Sequence, residues 1–337
     1  MTEGSNSKMW TGKHTFLLLL IIIAILLVGW RIPSNSFSIE AEFEDDLNNM
    51  TIPEKLKNEL KTGEPPISEN AIVAKEKEDK WEIIDGKKTY IVEKKDGKLN
   101  VYPPSIRILY AWLAFLILLI AFAVIAGHGV TGMWWGLLID ERNKISLSRL
   151  QMILWTVIIL SGFLTVALAN IAAGIDEPLS ISIPEELWLL MGISTASLVG
   201  SPLILSTKKV KEPKKEEQDQ TINSMAAEEG VSPKNLKSKV TNKGQVIVNK
   251  DPKDARLSDL FKGEETGNAA QLDLGKIQMF YFTLIIVLAY AVALGDLLCG
   301  TGKIDAFPVL SASMVALLGI SHAGYLTNKA IPHSQGK

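Results

Sequence analysis

The sequence predicts an all-α polytopic membrane protein with six transmembrane helices and a small extracytoplasmic α+β insert. Spans three and four are repeated as spans five and six, in the same orientation. Three observations predict this. Apolar residues gather into runs of about 20, the length that crosses a hydrocarbon core of roughly 30 Å. The basic residues of the short loops agree on one orientation. Finally, an ungapped stretch recurs 127 residues further along, where Gln151 aligns with Gln278.

The bulk composition hides this segregation. Of the 337 residues, 47% are hydrophobic and 21% charged, which is ordinary for a soluble protein until their distribution is considered. A net charge of −2 excludes a globally basic nucleic-acid binder. The single cysteine, Cys299, excludes an internal disulfide framework and a multi-cysteine metal site.

The first span belongs to residues 1–30. Trp10 and Trp30 lie 20 residues apart, about 30 Å on a helix, which sets one indole at each interface. That favours an uncleaved signal anchor. The alternative is a signal peptide cleaved after Ser36, because the purely apolar part runs only from Phe16 to Val28. The remaining spans are expected at 106–127, 149–170, 186–206, 276–297 and 307–326. Arg142, Lys144 and Arg149 precede span three, Lys208 to Lys215 follow span four, and Lys329 follows span six. The positive-inside rule therefore places both termini, and the 327–337 tail, in the cytoplasm.

Residues 128–206 form the first two-helix repeat together with an interfacial segment, Met133-Trp134-Trp135-Gly136-Leu137. Residues 276–326 form the second. Over 146–165 and 187–200, 11 of 34 positions match their counterparts. Each unit holds two spans, an even number, so the units are parallel and not inverted. A four-helix core of spans three to six follows, with spans one and two outside it.

The repeated residues have definable tasks. Ser146 and Asp273 stand where N-caps are wanted. Arg149 and Lys276 come three residues later, where the helix dipole disfavours a cation; anionic headgroups would offset this. Gln151 and Gln278 would bond between helices or line a cytoplasmic mouth. Gly192, Ala196 and Gly200 recur every fourth residue on span four, and Gly319 and Ala323 repeat part of this on span six. Together with Ser194 and Ser321 these small residues serve either a close helix contact or a pore constriction. His322 is the one ionisable group well inside a span, either a functional group or a polar helix contact.

Two polar inserts remain. In 31–105, residues 53–60 suggest a short helix, and 81–102 a three-stranded meander with turns at Asp85-Gly86 and Asp96-Gly97. In 207–275, the Lys/Glu-rich first half reads as a flexible cytoplasmic linker. Its second half carries an expected amphipathic helix at 254–262 and a stretch, 245–273, that suits a protein partner.

No phosphate-binding loop, H-E-x-x-H, G-x-S-x-G or C-x-x-C is present. His14, His128, His322 and His333 are scattered, with no spacing that makes them converge. No catalytic residue, cofactor or metal site is therefore expected, and the chain is not read as an enzyme. The expected partners are the lipid bilayer, further copies of the chain and a protein at 245–273, with no nucleic acid. The reading is a sensor or scaffold that couples the outer insert to the inner one; the alternative is an oligomeric pore for ions or small solutes. The repeated motifs resemble those of prokaryotic membrane proteins, which implies the cytoplasmic (inner) membrane and carries no activity with it.

Overall fold

A computed structural model describes residues 10–30, 37–40, 72–77, 80–85, 88–95, 98–102, 106–172, 177–299 and 304–334. Its long helices are α1 (Gly12–Trp30), α2 (Ile106–Thr131), α3 (Leu147–Ala172), α4 (Glu185–Lys208), α7 (Leu274–Cys299) and α8 (Ala312–Ala330). Five of them, α1 to α4 and α7, are long and apolar enough to cross a membrane. They present Phe16, Ile117, Leu160, Leu189, Ile285 and many other large apolar side chains to the outside, a surface made for lipid and not for water.

The helix expected at 307–326 begins only at Ala312. Pro308 has no N–H to give a helix, and Phe307 N–H donates to the Ser182 carbonyl at 2.9 Å, which keeps this stretch extended. Ser311 then caps α8 by accepting from Met314 N–H at 3.3 Å.

Helices α3, α4, α8 and α7 form a closed ring, each packed on the next. The starts of α3 and α7 and the ends of α4 and α8 meet at one end of the bundle, so both hairpins run the same way. At the far end their connections pair. Ser182 N–H donates to the Asp305 carbonyl at 2.6 Å, and Asn170 Nδ2 donates to the Ile304 carbonyl at 2.9 Å. The ring is filled by Trp155, which meets Tyr290 edge-on at 6.0 Å, and by Val166, Leu187, Leu190, Leu294 and Leu298. Helix α2 lies outside, its Trp112 Nε1 donating to Ser161 Oγ at 3.0 Å, and α1 packs on α2.

The α1–α2 pair corrects the expectation of scattered histidines. The two helices are antiparallel, so the start of one meets the end of the other, and His14 Nε2 lies 2.9 Å from His128 Nδ1. Trp134 tilts over His128 at 4.4 Å between ring centroids. The segment after α2 folds back tightly onto it. A Cβ on Gly136 would fall 2.2 Å from the Gly127 carbonyl oxygen, so the approach needs glycine.

Five strands precede α2: β1 (Phe37–Glu40), β2 (Ile72–Lys77), β3 (Lys80–Asp85), β4 (Lys88–Lys95) and β5 (Lys98–Tyr102). They form one antiparallel sheet in the order β1-β5-β4-β3-β2. The three expected strands are β3, β4 and β5; β1 and β2 extend the meander on both edges. The helix expected at 53–60 and the cleavage position after Ser36 lie outside the described residues.

The polar stretch after α4 is folded, contrary to the expected linker. Helix α5 (Lys215–Glu229) and helix α6 (Pro233–Lys239) lead into a hairpin of β6 (Val240–Lys243) and β7 (Val246–Asn249). Ile222, Met225 and Ala226 recur on one face of α5 and are buried with Leu236, Val240, Ile247 and Ala269. Few apolar residues suffice because they fall at helical spacing. The hairpin turns at Gly244, whose φ is +57° and whose Cβ would lie 2.3 Å from the Lys209 carbonyl oxygen.

The amphipathic helix expected at 254–262 is instead two short 3-10 turns, Pro252–Asp254 and Leu257–Leu260. Leu260 and Phe261 turn inward. Phe261 meets Phe280 edge-on at 5.1 Å, and Leu260 joins Ile145, Leu147, Met279 and Tyr325.

Candidate functional site

The folded insert sits on the end of the bundle where four helix termini converge, and two adjacent carboxylates fasten it there. Glu264 has a side chain only 7% exposed, and three cations surround it. Arg142 Nη1, from the loop before α3, lies 3.0 Å from Oε1. Lys276 Nζ, from the first turn of α7, lies 3.0 Å from the same oxygen. Lys329 Nζ, from the last turn of α8, lies 2.6 Å from Oε2. At Arg142 Nη1 and Glu264 Oε2 the geometry is that of charge contact more than of an aligned hydrogen bond.

Glu265 engages the fourth terminus. It pairs with Lys208 at the end of α4. Its Oε2 also accepts from the backbone N–H groups of His333 at 3.1 Å and Ser334 at 3.3 Å, just past α8. Lys208 Nζ further donates to the Ile331 carbonyl at 2.8 Å. One dipeptide of the insert thus holds the surroundings of all four helix ends.

The electrostatics follow from burial and pairing together. Burial alone would raise the Glu264 carboxyl, but Arg142, Lys276 and Lys329 outweigh it and hold the group well below the ordinary carboxylate range. Burial likewise opposes the charge on Arg142, yet Glu264 and Asp140 keep its proton more firmly bound than usual. Lys144 goes the other way. Burial lowers it, and Asp259, 3.8 Å away, compensates only in part.

The backbone reinforces the pairing. Asn143 Nδ2 donates to the Asn249 carbonyl at 2.9 Å, and Asn249 Nδ2 returns a bond to the Asn143 carbonyl at 2.8 Å. Asn249 N–H donates to the Arg142 carbonyl at 2.9 Å. Strand β7 is therefore zipped onto the turn that presents Arg142.

From the lock a polar ladder runs up the α4–α8 contact. Lys329 Nζ donates to Ser201 Oγ, which lies 3.4 Å from Tyr325 Oη. Higher up, Ser197 Oγ lies 2.6 Å from His322 Nδ1. Spacings of three and four keep His322, Tyr325 and Lys329 on one face of α8. Ser194 and Ser321 are buried as well, and Ser321 Oγ has no partner among the described residues.

The residues singled out in the sequence are divided by this geometry. Gln151 is buried and donates to Thr283 on α7, whereas the aligned Gln278 is exposed. Lys276 is buried on Glu264 and does not face headgroups. Arg149 stays half-buried, with no ion pair or side-chain hydrogen bond among the described residues. Gly192, Ala196 and Ala323 face outward; a Cβ on Gly200 would lie 3.5 Å from Leu326, and one on Gly319 3.6 Å from Ile193. The contact between α4 and α8 is made chiefly by the serines, His322 and Tyr325, not by the small-residue stripe.

Sequence reading missed Glu264, Glu265 and the structural use of Arg142, Lys208 and Lys329. The cations serve there as markers of orientation, and a Glu-Glu pair in a polar stretch reads as solvated. The available signal is that Gly263-Glu264-Glu265, with residues 245–248 and 256–261, marks the second half of the insert as ordered. Comparison with protein-family models, with curated proteins and with solved structures finds no match.

Proposed function

We propose that the chain is a membrane-embedded coupling or scaffold protein, in which a strand-rich outer segment and a folded inner insert are joined through one helical bundle. The observation that carries this reading is the Glu264–Glu265 lock. Relative displacement of α3, α4, α7 and α8 must strain ion pairs that the insert itself supplies. In this reading α8 is a sixth span, both termini and residues 207–275 are cytoplasmic, and residues 31–105 lie outside a prokaryotic inner membrane. The two hairpins are parallel copies of one ancestral unit. The recurrence of Gln151-Met152 at Gln278-Met279 and of Gly192-Ile193-Ser194 at Gly319-Ile320-Ser321 supports this. So does the ring itself, in which aligned helices pack together, α3 on α7 and α4 on α8.

The reading is tested with the full chain in lipid nanodiscs, with spin labels on the exposed ends of α5 and α2. Deleting residues 37–102 should change the label-to-label distance distribution or the protease sensitivity of the insert. An insert indifferent to that deletion sinks the coupling role. A second reading, an oligomeric pore, is favoured by the outward-facing Gly192, Ala196 and Ala323, small residues that would let copies approach closely. Because Trp155, Tyr290 and Leu294 fill the ring within one chain, conduction would have to run between copies. Bilayer recording on oligomers of measured mass decides it, and a silent monomer ends that reading.

A further inference from the structure

A cleft of about 430 Å³ opens between α3 and α4 beside the lock. Asp140, Glu141, Ser146, Ser148 and Arg149 line its polar side. Met152, Ile153 and Leu198 lie on its apolar floor, and Ser201, which accepts from Lys329, also lines it.

The charges along the polar side leave one cation over. Asp140 is taken by Arg142, whose Nε and Nη2 lie 2.9 and 2.6 Å from Oδ2. Glu141 is taken by Lys209. Arg149 has no carboxylate partner among the described residues. Helix α3 starts at Leu147 with no acidic residue in its first turn, so the positive end of its dipole is not neutralised from within. Independently, Ser148 is 1% exposed and its Oγ has no hydrogen-bond partner among the described residues. A buried hydroxyl without a partner has already lost its water, so a group that accepts from it would be bound at little further desolvation cost.

The second hairpin shows what such a site takes. At the start of α7, Asp273 Oδ1 accepts from Lys276 N–H at 3.2 Å, and Lys276 Nζ lies on Glu264. There the chain supplies its own anions. At the aligned positions of the first hairpin Asp273 is replaced by Ser146, and no carboxylate among the described residues answers Arg149.

We propose that this cleft binds the phosphodiester headgroup of an anionic membrane phospholipid. The phosphate sits on Arg149, Ser148 and the first turn of α3, and an acyl chain runs along Met152, Ile153 and Leu198. Basic clefts between spanning helices suit such headgroups, and 430 Å³ lies within the usual range of small-molecule sites. A lipid is favoured over a soluble phosphate because the floor is apolar and continues the outward surface of α4, where Val199 and Leu203 are exposed. Placing the cleft at the inner leaflet rests on the orientation given under Proposed function; the binding itself does not.

The test is lipid retention. The full chain is purified from nanodiscs containing phosphatidylglycerol and phosphatidylcholine in equal amounts, and the lipid still bound is counted by native mass spectrometry. Wild type should retain phosphatidylglycerol selectively. Arg149→Gln should cut that retention about tenfold, the loss expected when a charged hydrogen bond of about 1.4 kcal/mol or more is removed. Ser146→Asp, which gives the first hairpin the carboxylate that the second already has, should cut it similarly without lowering thermal stability. That variant keeps the test meaningful if Arg149→Gln folds poorly. Gln278→Ala should change nothing. Equal retention of both lipids, or retention indifferent to both cleft variants, overturns the proposal. Displacement of bound lipid by glycerol 3-phosphate as readily as by whole lipid also overturns it, in favour of a soluble ligand. A chain that retains phosphatidylglycerol selectively yet fails the coupling test leaves this site standing.

Discussion

Lys276, in the first turn of α7, lies 3.0 Å from Glu264 and is 4% exposed; the aligned Arg149, in the first turn of α3, lines an open cleft with no carboxylate partner among the described residues. The two positions sit on aligned sequence and at the same end of the bundle, yet one is closed and the other is not. The difference comes from the insert, which joins the two hairpins and brings Glu264 down on Lys276 and Lys329 of the second and Glu265 on Lys208 at the end of the first, with neither reaching Arg149. Arg142, just before α3, is drawn into the same cluster and Arg149 is left aside. Near-equivalent helix starts thus acquire different chemistry from what is connected to them.

The sharpest way to break this comparison is Glu264→Gln. It leaves Arg142, Lys276 and Lys329 buried without their shared anion, and losing one partner of a buried pair costs about 3–5 kcal/mol. Thermal unfolding in detergent, read with limited proteolysis of the insert, should show the insert released first. The pH dependence has a definite sign. The folded Glu264 carboxyl titrates below its unfolded value of about 4.3, so its stabilisation is complete above that pH. It is lost as the pH falls through the folded value. Wild type should shed this contribution only under strong acid, and Glu264→Gln should lack that part of the acid transition.

Glu265→Gln should cost less, about 1–3 kcal/mol by the same unfolding measurement. A glutamine oxygen still accepts from the His333 and Ser334 N–H groups, and Lys208 keeps the Ile331 carbonyl. A loss equal to that of Glu264→Gln would show that the two carboxylates act as one unit.

The glutamines test the same asymmetry inside the helices. Gln151→Ala removes a buried bond from α3 to Thr283 on α7. Interhelical bonds of this kind are worth about 0.6–1.7 kcal/mol in membrane bundles. Gln278→Ala, at the exposed aligned position, should stay within about 0.5 kcal/mol of wild type. Equal losses would mean that the two hairpins are more nearly equivalent than Arg149 and Lys276 suggest.

The long apolar helices were legible because lipid imposes length and composition directly on sequence. Strands β3 to β5 were legible because Asp-Gly pairs in the sequence separate runs of alternating residues. The folded insert was not, since its core rests on a few residues such as Ile222, Met225 and Ile247 scattered among Lys and Glu. The lock was illegible for a different reason. Glu264 has meaning only beside Arg142, Lys276 and Lys329, which are brought together by the closure of the ring and not by spacing. Arg149 and Lys276 both stand in the first turn of a helix, but which one meets a carboxylate depends on where the insert lands.

The smallest effect within one chain is expected from the outward stripe. A Cβ on Gly192 meets nothing within 4 Å, and Ala196 is exposed. Gly192→Ala and Ala196→Leu should therefore leave unfolding within about 0.5 kcal/mol of wild type. The same variants bear on association between copies. Small residues every fourth position allow two helices to approach closely in lipid, and Leu at position 196 would hold such a neighbour off. If copies pack through this face, Ala196→Leu lowers the mass of the particle while its unfolding is unchanged. If both mass and unfolding are unchanged, the stripe faces lipid, and assembly must use another surface.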